Sequence, residues 1–399
     1  MMLVIPRWEG LALSLLFDLI PFGARMRSFS LALTTCAFLC SAAFAQQSSI
    51  QQSTAPQSAG IKRLFSVEAQ AARTSVKDQA RTNTCWNFAT TSFMESEVAR
   101  QGGKLIELSE VFAVRYAYPI KADAYVRAQG KANFWEGGNN HDAMDMLRRY
   151  GAVPRAVFTG LKEGETKLDH AELARVTTAF LDAVVKGGRP TKSWKLAFEG
   201  ILDAYIGKPP QNFIYEGKAY TPQSFRDQVL KLNPDDYVEV TSFTHHPFYQ
   251  RVRLEIPDNW SHDARYLNVP LDDMEKIMNN ALSKGFTISW GGDTSEKGFS
   301  AKEGVASLDD ESKEVTQVGR QDAFDDWRST DDHSMHIVGL SKDESGKTFY
   351  LTKNSYGSGV GPFEGYLHMS RNYIRMKTIY FMVHKDAIPA DIRTKAGIR

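Results

Sequence analysis

The stretch Gln79-Ala-Arg-Thr-Asn-Thr-Cys85-Trp86-Asn-Phe88 holds the only cysteine of the chain outside residues 1–45. Those first residues contain Cys36 and Cys40 and read as an export signal, to be lost on cleavage. Met26-Arg27 gives a positive start (Met26 being the expected true initiator), residues 29–40 an apolar run, and Ala43-Phe44-Ala45 a cleavage site. Exported proteins keep most cysteines as disulfides, so an unpaired one points to a reactive thiol. Without such flanks a lone cysteine reads as a small buried apolar residue. Asn83 and Thr84 can each cap a helix opening at Cys85, with Trp86, Ala89, Phe93 and Val98 at helical spacing and Gly102-Gly103 as its stop. A helix N-terminus favours thiolate over thiol.

Working outward, residues 46–70 form a polar, Gln/Ser-rich tether, 71–385 one large domain, and 386–399 a tail. The domain is long enough for two packed lobes. A net charge of +1, from 48 basic and 47 acidic residues, leaves no field for dedicated nucleic-acid binding. No segment after the leader is apolar enough to span a membrane, and the location expected is exported, periplasmic or secreted. Helical periodicity covers 109–121, 139–150, 173–185, 193–206 and 271–284; short strands and turns begin at 213, with a strand at 286–290. Residues 296–332 read as loop-rich. Strands follow at 334–340, 348–354, 365–370 and 378–383. Helices early and strands late predict an α+β fold with segregated lobes.

A thiolate nucleophile needs an imidazole. Of nine histidines, His141, His170, His262, His368 and His384 stand in polar company that suggests surface positions, and His245-His246 lie in a loop. His333 and His336 are three apart on a strand and point to opposite faces, so they do not chelate one ion. No metal site and no cofactor are expected. The strands around 342–346 form a hairpin; symmetry about residue 343.5 places His333 opposite Asn354 and His336 opposite Leu351. An amide there can hold the imidazole's tautomer and orientation. Gln79, six residues before the thiol, can donate to an oxyanion beside the Cys85 N–H.

Gln79-x5-Cys85-Trp86-x-Phe88, His333-x5-Gly339 and Lys353-Asn354-Ser355-Tyr356-Gly357 together resemble the papain superfamily of cysteine peptidases. The resemblance implies a two-lobed fold, helical lobe against antiparallel β lobe. It implies Cys85 as nucleophile, His333 as base then acid, Asn354 as orienter and Gln79 as oxyanion donor. Tyr356 stands where the family has a shielding Trp. Gly137-Gly138 resembles the wall that pairs with an extended peptide. From 85 to 333 the chain runs 248 residues, well beyond the local signature, so an insertion is expected at about 160–265. With Tyr220-Thr-Pro222, Tyr266-Leu-Asn-Val-Pro-Leu271 and the 286–293 stretch, it resembles the bleomycin hydrolase and bacterial aminopeptidase C branch. That branch implies peptide substrates and aminopeptidase action, and allows a homo-oligomer whose C-terminal arm enters the cleft; this tail does not match that ending. Alternatives are endopeptidase action, a cell-wall amidase or transpeptidase, and a silent peptide-binding scaffold.

Overall fold

The computed structural model describes residues 64–398. The export signal and most of the tether lie outside these residues. In chain order the elements are β1 (Phe65–Gln70), α1 (Cys85–Arg100), α2 (Glu110–Arg127), α3 (Asn140–Tyr150), α4 (Ala171–Lys186), α5 (Ser193–Tyr205), the hairpin β2–β3 (Phe213–Tyr215, Lys218–Tyr220) and α6 (Pro222–Phe225). Then come β4 (Tyr237–Thr241), β5 (Gln250–Val252), β6 (Tyr266–Asn268), α7 (Leu271–Ser283), β7 (Ile288–Gly292), β8 (Phe299–Ser300), β9 (Val305–Ala306) and α8 (Gln317–Asp325). The chain continues through β10 (His333–Asp343), β11 (Thr348–Lys353), β12 (Tyr366–Ser370), α9 (Arg371–Lys377), β13 (Thr378–His384) and α10 (Ala390–Lys395).

The α+β expectation holds, with one correction: apart from the separate β2–β3 hairpin, the β part is one mixed sheet rather than an antiparallel one. Its order is β5-β6-β4-β13-β7-β10-β11-β12-β9-β8, with β1 also on β10, and the β4–β6 and β9–β12 pairs are parallel. Part of the expected insertion feeds this sheet, since β4 pairs with β13. The 296–332 stretch, expected as loop, contains α8, whose start Thr316 caps through its hydroxyl to Gly319 N–H. The period there is obscured by polar residues.

Two cores flank α1. Trp86, Phe93, Phe112, Phe198 and Phe225 anchor the helical one; Trp290, Ile277, Tyr373 and Phe381 anchor that of the sheet. Each fully buried side chain of this size contributes about 2 kcal/mol. The helix α1 is buried from Trp86 to Val98 on every face, including Glu95 and Glu97. An element enclosed on all sides cannot shift without opening both cores, so it is a rigid carrier for Cys85.

Polar cross-links tie α1 to its surroundings. Asn140 donates to Ser289 O at 3.0 Å and accepts from the Ser289 and Thr90 hydroxyls at 2.9 and 3.0 Å, joining α3, β7 and α1. Lys353 Nζ donates to Ser92 Oγ and Thr74 Oγ1 at 2.8 and 3.0 Å, and Thr74 donates to Glu95. Desolvation lowers the Lys353 ammonium to about 8 and raises the Glu95 carboxyl to about 7. The tail packs as α10 against α7: Ile392 is fully buried and Lys276 meets Asp391 at 2.7 Å.

Candidate active site

Thr84 stands at the N-cap position of α1, but its hydroxyl pairs with Thr82 Oγ1 at 2.8 Å and caps nothing. Asn83 turns instead to Glu136, at 2.8 Å. Neither residue caps through its side chain, which corrects the capping expectation. The first amides of the helix are thereby left for the site. Cys85 is half-buried, and the Ser334 and Trp86 backbone N–H groups donate to its sulfur. Desolvation, with the charges of Asp258 and Asp331, nevertheless pushes the thiol up to about 12.

His333 opens β10 and is buried. Its Nε2 lies 2.8 Å from Asn354 Oδ1, which also receives the Ser355 N–H at 2.8 Å. A backbone N–H can only donate, so the atom it meets is the amide oxygen, and His333 Nε2 must carry the proton. Nδ1 is then the nitrogen with a lone pair. Tyr356 stacks on the imidazole, centroids 5.0 Å apart at 24°, and shields that bond. Burial lowers the imidazole to about 4, against a smaller raising effect of Asn354.

Taken singly, then, sulfur and imidazole each favour the neutral form. Moving the proton from Sγ to imidazole charges both together. The helix N-terminus and the two amides then oppose desolvation of the thiolate.

The hairpin arithmetic needs correction. Pairing is Lys342↔Thr348 to Gly339↔Leu351, then after a bulge Ile337↔Thr352 and His336↔Lys353. The centre lies near 345, so His333 reaches Asn354 diagonally from beyond the last pair. His336 faces Lys353, not Leu351, and its Nδ1 sits 2.8 Å from Ser92 Oγ. A bulge is invisible to a symmetry count. The surface expectation also fails for His141, His170, His368 and His384, which are buried; His262 is exposed. His141, held 2.7 Å from Glu239, is lowered by desolvation yet raised more by Glu239 and Asp142, to about 9.

Gln79 is buried and clamped. Its backbone N–H donates to Ser355 O at 2.8 Å, its Nε2 donates to Thr82 O at 2.7 Å, and its Oε1 accepts from Ser355 Oγ at 2.5 Å. One amide hydrogen of two is thus used. The Gly137-Gly138 wall is buried beside Trp86, whose Nε1 donates to Glu136 O at 3.0 Å. A β-carbon on Gly138 would crowd Trp86 and Asp142; on Gly137 it would overlap the Asp258 carboxylate. Among the described residues, neither the N–H nor the C=O of Gly138 has a hydrogen-bond partner.

Sequence reasoning missed Ser355 as the joint between Gln79 and Asn354, and missed Asp258, Asp331 and Asn139. Only Ser355 carried a signal, its place beside Asn354. One group among the described residues has metal-like spacing: His245, His246 and Glu255. Gln321 Oε1 accepts from Thr244 N–H at 2.6 Å, so its Nε2 donates to His245 Nδ1 at 3.0 Å. That leaves His245 Nε2 protonated toward Glu255, a hydrogen-bonded set rather than a prepared ligand set.

A cysteine at a helix start and a strand-borne histidine held by an amide are the elements of a two-lobed thiol hydrolase. Residues 123–397 match the Peptidase C1-like family and residues 63–118 the papain family of cysteine proteases. The chain belongs to the Peptidase C1-like family and is a cysteine peptidase. It is 23% identical over 378 residues to aminopeptidase G of Lactobacillus delbrueckii subsp. lactis, covering 83% of this chain and 85% of that one. Aminopeptidase C of Listeria monocytogenes is 22% identical over 378 residues, covering 83% and 84%. The crystal structure of PepW from Lactobacillus rhamnosis superposes with a TM-score of 0.69 at 18% identity, over 83% and 84% of the two chains. No helix among the described residues is long and apolar enough to cross a membrane.

Proposed function

We propose that this cysteine peptidase is an aminopeptidase with Cys85 as nucleophile, His333 as base and acid, Asn354 as orienter and Gln79 as oxyanion donor. Cys85 Sγ attacks the carbonyl carbon of the first peptide bond as its proton passes to His333 Nδ1. The Cys85 N–H and the second Gln79 Nε2 hydrogen receive the oxyanion. His333 then protonates the leaving amine, and takes a proton from the water that releases the acyl group.

The observation that carries the exopeptidase reading is the loop between β5 and β6. Its Asp258 fills the space against Gly137, at the wall where a longer acyl-side peptide would run. The relatives' names, aminopeptidases G, W and C, support the same reading. The test is one decapeptide with free and with acetylated amino terminus: stepwise trimming of the free form alone is expected, and internal cleavage of both would make the enzyme an endopeptidase. Cys85→Ala should abolish turnover.

We also infer, from residues 26–45, export from the cytoplasm; fractionation of the full chain with N-terminal sequencing of the product tests it. Peptides are the partners, and a homo-oligomer is a further proposal that sedimentation decides.

A further inference from the structure

The cleft carries two carboxyl groups that the steps above do not use, and desolvation raises both, Asp331 well above the usual carboxylate range, so a bound cation would favour their charged forms. Asp258 lies against Gly137, and Asp331 sits two residues before His333. Both bear on the site, since each raises the Cys85 thiol. Their hydrogen bonding is sparse: Asn133 Nδ2 stands 3.4 Å from Asp258 Oδ1, and Asn139 Nδ2 3.5 Å from Asp331 Oδ2. Such lengths are at the weak end for a charged acceptor. Among the described residues neither carboxylate has an ion-pair partner. Lys121 lowers the Asp258 carboxyl through space, but its own hydrogen bonds go to Trp135 O and Gly137 O. Asp142, Asp332 and Glu239 add further negative potential around the two acids.

A second observation is independent of these charges. Asn139 is fully buried with its Nδ2 turned to Asp331, and its Oδ1 has no partner. Beside it the backbone of Gly138 is unpaired as well. Carboxylates short of a cation, next to an amide oxygen and a peptide bond short of donors and acceptors, describe a receptor for something cationic and peptidic. A substrate's terminal ammonium brings one positive charge and three N–H donors. With the Asp258 loop closing on Gly137, that terminus is the part of a peptide that ends here.

We propose that Asp258 and Asp331 together receive the free α-ammonium of the substrate and so set the enzyme's requirement for an unblocked amino terminus. This rests on the aminopeptidase reading and names the groups that enforce it. The pair is a specificity device: it touches the amine and leaves bond cleavage to Cys85 and His333.

The test uses the full chain with leucyl-aminomethylcoumarin, its N-acetyl form, and N-acetyl-arginyl-leucyl-aminomethylcoumarin, on wild type, Asp258→Asn and Asp331→Asn. Both substitutions keep shape and remove charge, and iodoacetamide labelling of Cys85 checks that each variant is folded. The expected result is a ratio of kcat/KM, free over acetylated, that falls roughly 10- to 100-fold in each variant, mostly through KM. Should one variant not fold, the other decides alone. If wild type needs the free amine and both variants keep the ratio, this inference is wrong while the aminopeptidase reading stands. If wild type cleaves the acetylated leucyl substrate equally well, the aminopeptidase reading itself falls. A loss confined to the arginyl substrate would mean that the two acids read a basic side chain, which also overturns the proposal.

Discussion

Ser355 holds Gln79 from the opposite lobe: its hydroxyl donates to Gln79 Oε1 at 2.5 Å, while its backbone N–H donates to Asn354 Oδ1 at 2.8 Å. The amide proposed to orient the base and the amide proposed to meet the oxyanion are therefore set by one residue. Ser355→Ala should lower kcat about tenfold with little change in KM, because a misplaced donor weakens only the transition state. Gln79→Ala should cost about 100-fold. The double variant should cost no more than Gln79→Ala, since the hydroxyl acts through that amide. Additive losses in steady-state kinetics would disprove the link.

Asn354 fixes the tautomer of His333. Asn354→Ala should therefore lower kcat/KM by about 100-fold or more. Asn354→Asp keeps an acceptor and adds a negative charge, which raises the imidazole. Its acid limb in a pH–rate profile should move to higher pH than in wild type. An unmoved limb would mean that the 2.8 Å contact carries no electrostatic weight.

Burial lowers His333 from 6.5 to about 4. Between those values the unfolded chain binds a proton that the folded one refuses, so stability falls as pH drops through that window. The loss approaches about 3 kcal/mol at the acid end. Urea titrations at a series of pH values should show His333→Gln losing less stability than wild type between pH 6.5 and 4. Parallel curves would count against a neutral, desolvated ring.

The buried chain Lys353–Thr74–Glu95 crosses from sheet to helix. Lys353→Met alone strands Glu95 without its cation and should destabilise the fold by about 3 kcal/mol. Lys353→Met with Glu95→Gln removes both charges and should recover most of that loss. Denaturant midpoints measure both, and failure of the second change to rescue would show that the pair is not coupled.

Much of this was legible in the chain. The proposed reactive set is local in sequence, since Gln79 and Cys85 share one loop and one helix start, and His333 and Asn354 share one hairpin. Periodicity marks α3 and α7 because one face of each meets solvent. It is weaker for α1, which is enclosed on all sides, and there the flanking motif carried the reading. What escaped depends on distance along the chain. Asp258 reaches Gly137 from an insertion whose path no local pattern encodes, and a β-bulge between Ile337 and Gly339 displaced the register count. The buried histidines escaped because their partners, such as Glu239 for His141, are remote in sequence.

The placement of β13 has a consequence for biosynthesis. Residues 378–384 lie between β4 and β7, in the interior of the sheet. Until this late segment leaves the ribosome, two strand edges stay open and the histidine-bearing half has no finished interior. The nascent polypeptide thus carries its thiol through the making of about three hundred residues without the means to use it, and hydrolytic competence cannot precede the emergence of this strand.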